Sequence, residues 1–310
     1  MGQKKLVRFA ELVTFSNVLQ YPVNMGGTWS QFFENTNPLV LELACGKGEY
    51  TLGLAQMYPR KNFIGVDLKG NRLWVGAKKA IQHGLKNVAF LRIQIDRINE
   101  FFATEEVDEI WITFPDPQLR ISKSKKRLTH PKFLRLYYQI LKPGGKIHLK
   151  TDSPDLYGFT KKVIGMYGCL LHLDFDDVYA TPGIPKELHI KTHYESLDIA
   201  KSNRVHYLCF SLPEVMPSKQ MDAALQTFLK EEEPMQGKDH LHGADANSGQ
   251  DEEFVEGLDY YFNEKGLITF TARYLLRREY CCGSGCRHCP YDYEAVPEPR
   301  RSDLRKEREL

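Results

Sequence analysis

A single carboxylate, Asp116, stands between Pro115 and Pro117, directly after the apolar run Ile110, Trp111, Ile112 and Phe114. Proline fixes its own φ and biases the residue before it towards extended backbone, so this acid is held on a stiff support. The run reads as a buried strand, which puts Asp116 just past a strand's carboxyl end, where open α/β sheets carry their chemistry. Arg120, Lys123, Lys125, Lys126, Arg127 and His130 follow within a few positions. An acid at a strand end beside a cationic loop suits chemistry on a polyanion, whose backbone phosphates the loop would meet.

A second set of residues points to a cofactor. Glu42 and the turn Gly46, Lys47, Gly48 sit where a strand passes into a helix, and glycines there let the backbone approach a ligand at the helix N-terminus. Asp67 ends the next strand, where an acid can hold ribose hydroxyls, and Asp96 ends the one after, within reach of an adenine. A dinucleotide fits less well. Its glycine frame needs a third glycine where Thr51 stands, and Glu42 would repel a pyrophosphate. A carboxylate beside the turn suits a cofactor with a cationic amino-acid end, S-adenosyl-L-methionine.

The elements that must position these groups alternate. From Pro38 the chain reads as strand PLVLELAC, helix GKGEYTLGLAQMYP, strand NFIGVDL, helix GNRLWVGAKKAIQHG and strand NVAFLRIQI. A short helix leads to the strand at Val107. Helix PKFLRLYYQILKPGG, strand KIHLKTD, helix DLYGFTKKVIGMYG, strand CLLHLDFDDVY, helix THYESLDIAKSN and strand VHYLCFSL follow. This order predicts an α/β fold with a parallel sheet and helices on both faces. Residues up to about 36 read as an amphipathic lead-in with no motif. Trp74 and Trp111 sit in periodic apolar patterns and are expected in the core.

Composition bounds the rest. The 310 residues suggest one domain with an appendage, 42% hydrophobic content can build a full core, and the net charge of +2 says little about partners. No apolar run reaches membrane-spanning length, and the N-terminus lacks the uninterrupted apolar core of a secretory signal. Seven cysteines, three of them scattered, fit a reducing cytoplasm better than a disulfide framework. No obligate protein partner is evident. The expected division is a catalytic domain over 1–215, an acidic flexible linker over 216–255 and a small cysteine-rich module over 256–310.

The motifs LELACGKGEY, NFIGVDL, VDEIWITFPDP, KKRLTHPKFL, LKPGGKIHLKTD and THYE, in this order and spacing, resemble the bacterial tRNA (guanine-N7-)-methyltransferase family over residues about 38–212. The resemblance implies transfer of a methyl group from S-adenosyl-L-methionine to N7 of guanine 46 in the tRNA variable loop. It also implies the Rossmann-like, class I methyltransferase form of the α/β fold, with a mostly parallel seven-stranded sheet, and cofactor and active-site roles for Glu42, Asp67, Asp96 and Asp116. Arg120, Asp152, Thr192, His193, Tyr194 and Glu195 match the family's substrate-binding positions, and Ser122 to Arg127 its RNA-contacting loop. Three positions depart from the pattern: Gln118 where tryptophan is usual, Arg120 where lysine is frequent, and Ala44 in place of a glycine. Methylation of another RNA and catalytically silent RNA binding are the alternatives.

The tail carries Cys281, Cys282, Cys286 and Cys289, with His288 between the last two. Short spacing around glycines can wrap a tetrahedral ion, so a structural zinc site is one reading, with an iron–sulfur cluster or metal-free reduced thiols as the others. The triplet Cys282, Cys286, Cys289 matches radical S-adenosylmethionine enzymes, but too few residues follow for the barrel those enzymes need.

Overall fold

The structure is a computed structural model that describes residues 7, 8, 10–192, 195, 204–231, 257–263, 268–276, 285–294, 296 and 298–309. The chain divides into two compact units, residues 1–235 and 236–310.

The first unit is built on one sheet. Its strands are β1 (Val18–Gln20), β2 (Leu39–Leu43), β3 (Asn62–Asp67), β4 (Val88–Arg92), β5 (Val107–Thr113), β6 (Leu141–Thr151), β7 (Leu170–Phe175) and β8 (His206–Ser211). They lie in the order β1-β4-β3-β2-β5-β6-β8-β7. Pairing is parallel from β1 through β6 and antiparallel at β6–β8 and β8–β7. The sheet therefore has eight strands, not seven. The extra one comes from the lead-in: Val18 to Gln20 pair with Phe90 to Arg92, and a three-residue edge strand is too short to show a period in sequence.

Strand composition explains the two-sided burial. Every residue of β2 is buried. Leu39, Leu41 and Leu43 join one core with Ile64, Val66, Ile110 and Ile112, while Val40 joins the other with Phe63, Phe90 and Trp111. That alternation is the period of two of a strand, and apolar side chains on both faces mark a parallel sheet covered by helices. Those helices are α1 (Glu49–Met57), α2 (Gly70–Gln82), α3 (Pro131–Ile140) and α4 (Pro154–Met166). The starts of α3 and α4 are written locally. His130 Nδ1 accepts from the Lys132 amide and Ser153 Oγ from the Leu156 amide, each cap followed by proline at the first helical position.

The linker expected from 216 does not begin there. Helix α5 (Gln220–Glu231) puts Leu225 and Leu229 into the core, and Asp222 takes a two-pronged pair from Arg135 (2.7 and 2.9 Å). The acidic residues from 232 dominated the composition of the window and hid this amphipathic turn; they lie outside the described residues. Of the two tryptophans expected in the core, Trp111 is buried and stacked on His148 (4.0 Å between centroids). Trp74 is instead half-buried, with Arg8 and Lys78 each 4.6 Å from its ring.

The second unit holds an antiparallel pair of β9 (Tyr260–Phe262) with β10 (Ile268–Phe270), and helices α6 (Ala272–Leu276) and α7 (Arg300–Glu309). Cys289, Tyr293, Val296 and Leu304 form its small core.

Candidate active site at the carboxyl ends of the strands

The turn after β2 is strained and close-packed. Ala44, Gly46 and Gly48 all have positive φ (58°, 57° and 71°). A side chain at Gly48 would meet the Phe90 ring at 2.5 Å, and one at Gly76 on α2 would meet the Lys47 carbonyl at 2.5 Å. The turn is thus clamped between α2 and the sheet. Alanine at 44 holds the left-handed conformation at a cost of about 1 kcal/mol, which a glycine would avoid.

Two acids sit beneath this turn. Asp67 ends β3 and accepts from the Gly46 amide (3.0 Å) and the Lys69 amide (2.7 Å), so its carboxylate is fixed in orientation. Glu42 is 3% exposed, and it accepts from the Thr51 amide (2.7 Å), the Thr51 hydroxyl and the Thr113 hydroxyl (2.7 Å). Burial raises its carboxyl from 4.5 to about 7 against the pull of those donors. A cleft opens above, lined by Ala44, Cys45, Gly46, Lys47, Glu49, Arg72, Thr113, Phe114 and Thr192.

Of the residues expected to bind the cofactor, Gly46 lines this cleft, while Glu42, Gly48, Asp67 and Asp96 are not among its lining residues. Asp96 lies in a short 3₁₀ segment after β4, exposed and ion-paired with Lys132 at the start of α3. Asp152 is half-buried just beyond the end of β6.

The strand β5 delivers Asp116 as the sequence predicts. Phe114 and Gln118 on either side are both in the left-handed region (φ 46° and 49°), and the Gln118 amide donates to Asp116 Oδ1 (3.0 Å). Strained non-glycine residues flanking one exposed acid are a mark of a functional loop. Arg120, Lys123, Lys125 and Lys126 project into solvent from the turn that follows, Lys123 to Lys126 on a 3₁₀ segment spanning Ile121–Lys126.

Two cations of that run are not at the surface, which corrects the expectation for them. Arg127 is only 4% exposed. Its Nε donates to the Pro117 carbonyl (3.1 Å), its Nη2 to the Gln118 carbonyl (3.2 Å), and its guanidinium stacks 4.5 Å over Phe159. It therefore braces the Asp116 loop from below and is not free to meet a phosphate. His130 is buried too, and burial lowers its imidazole to about 4, so it is a neutral cap. Sequence spacing alone could not separate them from the lysines. The nearby signal was the cap–proline pair His130–Pro131, which makes this end of the run the entry to a packed helix.

The Thr192-x-x-Glu195 segment closes on itself as a capping box: the Glu195 amide donates to Thr192 Oγ1 and the Thr192 amide to Glu195 Oε2, both at 3.2 Å. Thr192 reaches the cleft, while the Glu195 carboxylate pairs with Lys150 (2.9 Å). His193 and Tyr194 lie outside the described residues.

Residues 36–208 match a family described as "Putative methyltransferase". The tRNA (guanine-N(7)-)-methyltransferase of Porphyromonas gingivalis is 47% identical over 213 residues, which cover 65% of this chain and 86% of that protein. That of Bacteroides thetaiotaomicron is 45% identical over 223 residues, 69% of this chain and 88% of that protein. The chain belongs to the tRNA (guanine-N(7)-)-methyltransferase family. Residues 249–295 match a separate family of unknown function. Among solved structures, the 16S rRNA methyltransferase KamB aligns at 16% identity over 64% of this chain and 99% of its own, with a TM-score of 0.48.

In this tRNA (guanine-N(7)-)-methyltransferase family member, Glu42 and Arg127 each give a measurable signature. The Glu42 carboxyl is raised when folded, so between pH 4.5 and about 7 the native chain binds a proton that the unfolded chain releases. Stability then falls as pH rises through that window. Glu42→Gln should flatten this decline in thermal unfolding of the ligand-free protein; an unchanged slope would place the proton elsewhere. Arg127→Ala should lose about 2–4 kcal/mol in denaturant unfolding and leave the salt slope of RNA binding unaltered. Lys125→Ala should do the reverse, lowering the slope by about one.

Proposed function

We propose that this chain methylates N7 of guanine 46 in the variable loop of tRNA, with S-adenosyl-L-methionine as methyl donor. The observation that carries the reading is the meeting, on one rim of the sheet, of the cofactor-type cleft and the braced Asp116 loop with its exposed lysines. Family membership supplies the base and the atom.

The residues fit the cofactor. Asp67 has a lone pair left on each oxygen beyond its two amide contacts, as ribose hydroxyls require. Lys47, Arg72 and Glu49 give the cleft both signs of charge, as a zwitterionic amino-acid end requires. Gly46 has open space where a side chain would project, so backbone can approach a ligand there. When bound, S-adenosyl-L-methionine supplies an electrophilic methyl group.

The chain's own task is alignment. Guanine N7 carries an in-plane lone pair and no proton, so the acceptor needs no general base, and rate comes from orientation and exclusion of water. Asp116 is placed to accept hydrogen bonds from the guanine N1–H and 2-amino group, a donor pair that adenine lacks. Its charge opposes the positive charge that grows on the ring. Asp152, with Thr192 and Glu195, completes the base pocket, and Arg120, Lys123, Lys125 and Lys126 hold phosphates. Asp96 reaches the adenine once Lys132 releases it. The cytoplasm, where tRNA matures, is the expected compartment, and no helix among the described residues is long and apolar enough to cross a membrane.

For the second unit, a cysteine-rich module over 256–310, we propose a structural zinc held by Cys281, Cys282, Cys286 and Cys289. Cys289 is buried and its amide donates to the Cys286 carbonyl (3.1 Å), the tight turn a two-residue cysteine spacing needs. Among the described residues no group of three metal-ligating side chains occurs, and Cys281 and Cys282 lie outside them. Elemental analysis of the purified chain should find one zinc per chain, abolished by Cys286→Ser; iron or no metal would overturn this.

The enzymatic reading is tested by incubating the protein with labelled cofactor and unmodified tRNA, then mapping 7-methylguanine. Label at position 46 is expected, and Asp116→Asn should cut turnover by about a hundredfold. Label in another RNA would redirect the substrate, and cofactor binding without transfer would mark a silent RNA-binding protein.

A further inference from the structure

Lys150 is the one lysine of the first unit with no exposed surface among the described residues. It lies on β6 two positions before Asp152, in a strand buried along this stretch on both faces. A buried ammonium survives only if each proton has a partner. Here Nζ donates to the Leu188 carbonyl (2.9 Å), the Ile190 carbonyl (3.1 Å) and the Glu195 carboxylate (2.9 Å). The ring centroids of Tyr50, Phe114 and Tyr179 lie 5.5, 5.6 and 5.6 Å from it.

Its carbonyl and carboxylate partners all come from one segment of chain, with the Tyr179 hydroxyl as a longer fourth contact (3.5 Å). That segment, 186–195, is also tied to α1: the Tyr50 hydroxyl donates to the Glu187 carbonyl (2.7 Å), the Tyr58 hydroxyl donates to the Glu187 carboxylate, and Ile190 seats on Gly53, where a side chain would meet it at 2.9 Å. Its far end delivers Thr192 to the cleft and Glu195 to Lys150. On the other side, the Phe114 amide donates to the Lys150 carbonyl (2.8 Å), so the same residue touches the left-handed start of the Asp116 loop. One side chain and its own backbone thus connect the wall of the cofactor cleft to the loop that presents the acid.

We propose that Lys150 is a positioning residue for methyl transfer, holding the arm of residues 188–192 and Glu195 so that Thr192 stands at the cleft while Asp116 is held opposite. Its ammonium contacts no substrate; it acts through the arm. The assignment rests on the methyltransferase reading above, but two of its tests need no turnover.

The experiment compares Lys150→Met with the exposed same-strand control Lys146→Met in the full chain. Hydrogen exchange of the amides at 186–192 should speed up in Lys150→Met while those of β2 to β5 keep their protection. The affinity for S-adenosylhomocysteine, read by calorimetry, should weaken about tenfold. With unmodified tRNA, kcat should fall by at least about tenfold while KM for tRNA stays within about threefold, because the exposed lysine turn is untouched. Lys146→Met should match the parent throughout. Unchanged exchange in the arm with unchanged cofactor affinity would overturn the proposal. So would a lowered Tm with all kinetic and binding parameters at parental values at 25 °C, since that is the signature of burial without positioning. If Lys150→Met does not fold, Lys150→Gln, which keeps a donor and loses the charge, gives the same comparison. If the parent methylates no tRNA, the exchange and affinity arms still judge the pin, so the two failures are separable.

Discussion

The site depends on one constraint, the parallel pairing of β2 with strands on both of its sides. Leu43 lies level with Val66 of β3 and with Ile112 of β5. Three chains therefore leave the sheet at the same height and on the same rim, as Ala44, Asp67 and Thr113. Parallel strands all run their carboxyl ends to one edge, and the crossover reverses direction at the middle strand, so a crevice opens there by geometry. Because Thr113 and Thr51 both reach Glu42 across this crevice, the floor of the site is also its tightest hydrogen-bonded point.

Around that floor the structure sorts charge by burial. Glu42, Arg127 and Lys150 are buried and consume their hydrogen-bonding capacity on backbone, hydroxyl or carboxylate partners, which makes them supports. Asp116 and the lysines at 123, 125 and 126 stay exposed, and of these only Asp116 is oriented, by one amide. Fixed groups under a loop and free ones on it are what a site needs if it is to hold an acid rigidly while a flexible polyanion settles against mobile cations.

Much of this was legible in the strand ends. Asp67 at the end of β3 and Asp116 just past the end of β5 stand where the strand reading put them, because a parallel strand of apolar residues ends where its polarity changes, and a turn must follow. The eighth strand and helix α5 were not legible. A three-residue edge strand has no period, and an acidic neighbourhood overwhelmed the apolar face of Leu225 and Leu229. Asp96 was read by the same rule as the other acids. The fold places it in an ion pair with Lys132, from a helix far along the chain.

By itself the sequence determined the order of elements, the acids at their ends and the family, since each is a local pattern or a motif. Only the tertiary structure decided which cations face solvent. Arg127 and Lys125 are two positions apart in one basic run, yet one braces carbonyls over Phe159 and the other is bare. Lys150, on β6, has no exposed surface at all. The physical reason is that burial of a long cationic side chain is set by partners brought in from elsewhere in the chain, here Leu188, Ile190 and Glu195, and no local spacing encodes them.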